Sequence, residues 1–154
     1  MTDDTGLIRP ATLEDVPSLT ACAVAAYEMY VERIGKTPAP MQANFAEQLQ
    51  THAIDVIAHN DTFIGYVVHQ NQNNQTLLEN VAVFPQFVGR GFGGRLIDHV
   101  EQCAAANKTG KVVLYTNEAM TENLSLYPQL GYEETGKVVE EGFKRVYFEK
   151  HLYT

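Results

Sequence analysis

The chain has 154 residues, 45% of them hydrophobic and 19% charged, with a formal net charge of −8. That length fits one domain, spanning residues 1–154, with a core of two or three layers, and the acidic balance argues against a nucleic-acid partner. MTDDTGLIRP has neither a basic region nor an apolar core, and no apolar run approaches the roughly 18 residues of a membrane span, so the expectation is a cytoplasmic chain with no membrane partner.

In chain order, Leu7–Arg9 reads as a short strand that Pro10 ends. Thr12 is a good helix cap with Asp15 three residues on, a variant of the capping box. Leu13, Val16, Leu19, Cys22, Ala23, Ala26 and Tyr30 follow at near-helical spacing, which predicts a first helix ending near Arg33–Gly35. The prolines of KTPAP break the chain, and a second helix is expected over Met41–His52, with Phe45 and Leu49 on one face. Ile54–Ala58 and Thr62–Gln70 read as a hairpin around HND, followed by a polar loop over Gln70–Gln75.

Thr76–Val83 is apolar and partly β-branched, a fourth strand stopped by Pro85. A third helix is predicted over Gly91–Asn107, with Phe92, Leu96 and Val100 on one face and Gly110 as its C-cap. Lys111–Thr116 is an uninterrupted β-rich run, expected at the centre of a sheet. Thr121–Gln129 is a short helix with Thr121 as cap, and Leu130-Gly131-Tyr132 leads into a last hairpin. In that hairpin Val138–Val139 lies on one strand, Glu141–Gly142 turns and Phe143–Leu152 returns. No repeat or linker interrupts this order.

The chemistry concentrates between the fourth strand and the third helix, where Gly89, Gly91, Gly93 and Gly94 fall together. A helix start carries unpaired N–H groups and the positive end of the dipole. Glycines there let the main chain approach an anion, and a phosphate or diphosphate is the expected occupant, with Arg90 and Arg95 at the rim. Gly89, Gly91 and Gly94 also spell G-x-G-x-x-G, but FPQFV separates them from the strand and too little chain follows for a dinucleotide fold. No Lys-Ser/Thr follows the glycines, which excludes a P-loop.

VGRGFG, with Val88, Gly91 and Gly93 at its defining positions, resembles the central motif of the GCN5-related N-acetyltransferases, the GNAT superfamily. The family has Gln or Arg where this chain has Val88. The opening IRPATLEDVPSL, the Ile-Gly of DTFIGYVV and the closing ENLSLYPQLGY extend the resemblance over nearly the whole chain. It implies an α/β fold: a twisted mixed, mainly antiparallel sheet flanked by helices, the acyl-CoA N-acyltransferase fold. It also implies acetyl-CoA as cosubstrate and a small-molecule or peptide amine as acceptor. Relatives often dimerise, so a homodimer is an expected assembly.

By the same resemblance a bulge parts the fourth and fifth strands, and the freed main chain at Val81, Ala82 and Val83 holds the pantetheine arm. Val88, Gly89, Arg90, Gly91, Phe92, Gly93 and Gly94 hold the diphosphate, while Asn117 and Asn123 bond to the coenzyme arm. Asn123, Tyr127, Leu130, Gly131 and Tyr132 match the family's final motif, which places Tyr127 near the coenzyme sulfur as proton donor. Glu79 is the candidate base, because a carboxylate on an apolar strand needs a reason and an attacking amine must lose a proton. The region after the first helix makes Tyr27, Tyr30, Glu32, Arg33, Lys36 and Met41 candidate acceptor neighbours.

The remaining polar groups read as structural. The five histidines show no metal spacing, and His69 is expected to be a satisfied polar residue or to face the acceptor. Cys22 and Cys103 lie in helices and outside any CxxC pair, which predicts buried free thiols. The N-x-S/T triplets at Asn60, Asn74, Asn107 and Asn123 carry no meaning without secretion. The alternative function is a non-catalytic acyl-CoA sensor or partner-binding module on the same fold.

Overall fold

The apolar alternation of the sequence becomes seven strands: Leu7–Pro10 (β1), Ala53–His59 (β2), Thr62–Gln72 (β3), Gln75–Val83 (β4), Lys111–Asn117 (β5), Glu133–Glu140 (β6) and Phe143–His151 (β7). The computed structural model describes residues 6–152. Its strands form one sheet in the order β1-β2-β3-β4-β5-β7-β6, antiparallel throughout except for β4 beside β5. Five α-helices accompany it: Val16–Tyr27 (α1), Val31–Ile34 (α2), Phe45–Gln48 (α3), Phe92–Ala106 (α4) and Thr121–Gln129 (α5).

Each face of the sheet buries its own core. The helical stripe Phe92, Leu96, Ile97, Val100 and Ala104 of α4 packs on Leu78, Val112, Leu114 and Phe148, with Tyr127 of α5 alongside. On the other face Leu19, Cys22 and Ala23 of α1 join Phe45, Val56, Tyr66 and Val68. The Phe45 and Tyr66 rings meet edge to face at 5.4 Å.

Several local expectations change. The helix expected over Met41–His52 is a single turn, Phe45–Gln48, because Ala43 and Asn44 are extended and the Asn44 side chain accepts the Glu47 N–H at 3.1 Å. The polar loop Gln70–Gln75 is a two-residue turn, with Asn73 and Asn74 at φ 51° and 64°, so β3 and β4 run through most of it. Lys108, at φ 55°, takes the left-handed position after α4 that Gly110 was expected to fill. Thr121 is the first residue of α5, and Met120 precedes it as the cap. Cys22 is buried and Cys103 half-buried, and both are free.

Arg95 points away from the expected anion rim and donates to the Gly6 carbonyl at 2.6 Å. His69 pairs with Asp55 at 2.8 Å, and His99 approaches the same carboxylate oxygen at 3.3 Å. That cluster lies in a separate surface pocket with Cys103, so His69 is the satisfied polar residue of the two expectations.

Gly65 on β3 faces Val83 on β4. A Cβ there would lie 2.5 Å from the Ala82 carbonyl oxygen and 3.1 Å from Val83 Cα, both main-chain atoms. Gly65→Ala is therefore expected to push β4 outward and cost about 1–3 kcal/mol, read as a lower midpoint in denaturant unfolding.

The start of α1 gives a second test. Thr12 N–H donates to Asp15 Oδ2 at 2.8 Å, and Arg9 donates to both carboxylate oxygens at 2.8 and 2.9 Å. The Arg9 hydrogen bonds hold the Asp15 carboxyl below the usual aspartate range, against burial. A lowered folded pKa stabilises above the unfolded value and loses that stabilisation as pH falls through the folded one. Asp15→Asn should cost about 1–2 kcal/mol at neutral pH. Its melting curve should converge on that of the native chain in acid.

Candidate active site

Pairing between β4 and β5 runs only from Thr76–Val112 through Leu77–Val113 to Leu78–Leu114. The cause lies on the other edge of β4. Val68 of β3 faces Asn80 and His69 faces Leu78, which leaves Glu79 as an extra residue with no partner. Such a bulge bends and twists its strand, and past it β4 diverges from β5. The β5-facing edge of Glu79–Val83 is left without a neighbouring strand.

A cavity of about 180 Å³ opens at this divergence. Leu78, Glu79, Asn80 and Val81 of β4 form one wall, and Tyr115, Thr116 and Asn117 of β5 the other. Tyr27 of α1, Asn123 and Tyr127 of α5, Phe143 and Arg145 of β7, and Pro38, Pro40 and Ala43 after α2 also line it.

Tyr127 is held by the way α5 ends. Its carbonyl accepts the N–H groups of Leu130 and Tyr132, each at 3.0 Å, and Gly131 turns between them at φ 95°. Its ring packs against Tyr132 and Phe148 at 6.0 and 5.6 Å. The residue is 4% exposed, and no protein group hydrogen-bonds to its hydroxyl among the described residues. No buried side-chain oxygen there lacks a partner, so the hydroxyl meets the open space of the cavity. Burial pushes its pKa up to about 12.

Glu79 also lines the cavity and is held from two sides. His52 Nε2 lies 2.9 Å from Oε2, and Gln70 Nε2 donates to Oε1 at 3.1 Å. Asn80 ties the next part of the wall together: it donates to the Tyr66 hydroxyl at 2.6 Å and accepts from the Tyr27 hydroxyl at 2.7 Å. Burial pushes the Tyr27 hydroxyl well above the ordinary tyrosine range. Asn123 donates to Thr116 Oγ1 at 3.1 Å, while Asn117 accepts the Ala119 N–H at 2.9 Å, so its side chain serves its own turn.

The glycine turn leads into α4 through Gly91, the N-cap, at φ 85°. A Cβ at Gly89, Gly91, Gly93 or Gly94 would meet no atom within 4 Å. At Gly93 and Gly94, within the first turn and without positive φ, neither conformation nor packing calls for glycine. Glycine there costs roughly 0.5–1 kcal/mol relative to alanine and keeps the space over the unpaired N–H groups clear. A diphosphate fits that cleared cradle. Val88 is 68% exposed beside it, and Arg90 lies over the Phe87 ring at 5.6 Å. The Phe92 side chain is in the core, so only its main chain is available there.

On the expected coenzyme strand, Val81 lines the cavity, Ala82 is buried and Val83 packs toward α4. Of the acceptor candidates, Tyr27 and Glu79 line the cavity, while Tyr30, Arg33 and Met41 lie outside its wall. Arg33 is engaged by Glu122 at 2.8 and 3.1 Å and lies over the Tyr30 ring; Lys36 donates to the Glu141 carbonyl at 2.9 Å, and Glu32 is exposed. No sequence motif marks His52, Asn80, Tyr115 or Arg145, which the fold brings to this region. Asn80 alone left a sign, as a second polar residue beside Glu79 on an apolar strand.

The fold has counterparts in solved structures. PaiA N-acetyltransferase from Thermoplasma acidophilum, in complex with coenzyme A, superposes with a TM-score of 0.81 at 15% identity, over 96% of this chain and 99% of that one. The ribosomal-protein-S18-alanine N-acetyltransferase from Escherichia coli gives 0.79 at 15% identity, over 97% and 96%. A GNAT family acetyltransferase from Elizabethkingia anophelis with acetyl-CoA bound gives 0.73 at 20% identity, over 97% and 100%. No curated protein matches the sequence. The family profile described as "Acetyltransferase (GNAT) domain" matches residues 50–134. That span contains the strand divergence, the glycine cradle and Tyr127, and by it the chain belongs to the GNAT acetyltransferase family.

Proposed function

We propose that the chain transfers an acetyl group from acetyl-CoA to a primary amine by direct attack in a ternary complex. The observation that carries this reading is the cavity at the β4–β5 divergence, whose wall includes both Tyr127 and Glu79. Acetyl-CoA supplies an activated thioester. The first-turn N–H groups of α4, cleared by Gly93 and Gly94, hold the diphosphate. The free edge of Glu79–Val83 receives the extended arm as an added strand would be received. A main-chain N–H on that edge polarises the thioester carbonyl as negative charge develops on its oxygen.

Glu79, directly or through a water, accepts the proton that the amine loses as its nitrogen bonds to the carbonyl carbon. Tyr127 gives its hydroxyl proton to the sulfur as the carbon–sulfur bond breaks, and regains one from solvent. Tyr127, its hydroxyl pushed up by burial, is protonated at neutral pH as an ordinary tyrosine is, and so has a proton to give. In this reading the acetyl group passes directly to the amine, with no acyl-enzyme.

Release of free thiol from acetyl-CoA in the presence of an amine panel tests the reading. Tyr127→Phe should lower turnover by about 100-fold or more while coenzyme affinity holds. Undiminished turnover would remove Tyr127 as the acid, and tight acetyl-CoA binding with no thiol release from any amine would favour the sensor. Gly93→Ala tests the cradle separately. It should raise thermal stability, by about 0.5–1 kcal/mol, yet weaken coenzyme A binding measured by calorimetry.

A further inference from the structure

Arg145 is the one cation on the cavity wall among the described residues. It sits on β7 opposite Asn117 of β5, with its guanidinium 4.5 Å from the Tyr115 ring centroid and 5.6 Å from that of Phe143. Its side chain is 15% exposed, and its one protein hydrogen bond is long, from Nη1 to Glu140 Oε1 at 3.4 Å. Glu140 is itself shared, because it also accepts the Tyr147 hydroxyl. A guanidinium carries five N–H donors in a planar fork. Among the described residues no buried side-chain nitrogen lacks a partner, so the donors that Glu140 does not use are accessible to solvent, on a residue that lines the cavity.

The opposite charge on the wall belongs to Glu79. Tyr115 lies within the influence of both: burial pushes its hydroxyl up, Arg145 draws it down and Glu79 pushes it up. The covering segment contributes Ile34, Pro38, Pro40 and Ala43, all apolar in their side chains. The cavity thus offers a carboxylate at the transfer point, a fork of free donors on a separate strand and an apolar cover.

We propose that Arg145 binds a carboxylate group of the acceptor, so that the substrate is a small amino acid with an apolar side chain, its amine at Glu79 and its carboxylate on the guanidinium. This rests on the acetyl-transfer reading above. A carboxylate matches the planar fork with two parallel hydrogen bonds. A phosphate dianion would face Glu79 and Glu140 with a single cation to balance it. A peptide N-terminus would bring a neutral amide to the same donors, which makes weaker hydrogen bonds than a carboxylate does.

The test is calorimetric binding of L-leucine, L-leucinamide and 3-methylbutylamine to the chain saturated with coenzyme A. Leucine should bind about 10- to 100-fold more tightly than either partner that lacks the carboxylate. Arg145→Gln should abolish that preference, and Arg145→Lys should restore part of it. Glu140→Gln, which removes the competing carboxylate, should keep it; were Arg145 only a tie between β6 and β7, both losses would act alike. Equal binding of the three compounds, binding of none, or a preference that survives in Arg145→Gln overturns the proposal. Binding needs no turnover, so an Arg145-dependent preference without thiol release would contradict acetyl transfer alone. Thiol release from all three amines alike would contradict the carboxylate site alone.

Discussion

The structure depends on one interruption: β4 and β5 stop pairing after Leu78 and Leu114 because Glu79 is one residue too many against β3. Main-chain groups at the middle of a sheet are ordinarily paired, since an unpaired buried N–H or C=O costs about as much as a lost hydrogen bond. Here the parting strands admit open space between them, so the freed edge stays accessible. A central sheet edge of this kind is a ready template for an extended ligand. The same bulge sets the neighbouring Glu79 and Asn80 on the cavity wall, so it shapes the cavity as well as the free strand edge.

What surrounds the interruption is built to hold it open. Above Leu78 the sheet is tied on one face by the α4 stripe and on the other by α1 and Phe45. The chain of hydroxyl and amide from Tyr66 through Asn80 to Tyr27 fastens β3, β4 and α1 beside the gap. Each member satisfies another, which is why a polar network can sit next to an apolar core at little cost. On the far wall, Asn123 fixes α5 to β5 through Thr116, which sets the helix that carries Tyr127. Two separately packed cores thus meet a single opening.

Much of this was legible in the residues, for physical reasons that differ by element. Phe92, Leu96 and Val100 repeat with the period of a helix whose one face is buried, and α4 is there within a residue or two. The tip of the β3–β4 hairpin was misread because both its faces are wet, so polar Gln and Asn carried no alternation. The helix expected over Met41–His52 had the right apolar residues, but Asn44 bonds to its own downstream main chain and limits α3 to one turn. At the site, Tyr127 and Glu79 were legible through local context and both reach the cavity. Arg145 and His52 were not, since their meaning arises only when β7 and the start of β2 are folded against β4 and β5.

The cavity has a floor and a roof of different physical character. The floor is strand backbone and buried side chains. The roof is fastened by exposed contacts: Lys36, in the segment after α2, to the Glu141 carbonyl and over the Phe143 ring of the last hairpin at 3.9 Å, and Arg33 of α2 to Glu122 of α5. Attractions between solvent-facing charges fade beyond a Debye length of about 8 Å at physiological ionic strength and weaken as electrolyte is added. Salt therefore acts unevenly on this molecule, loosening the cover over the cavity while the groove beneath keeps its form.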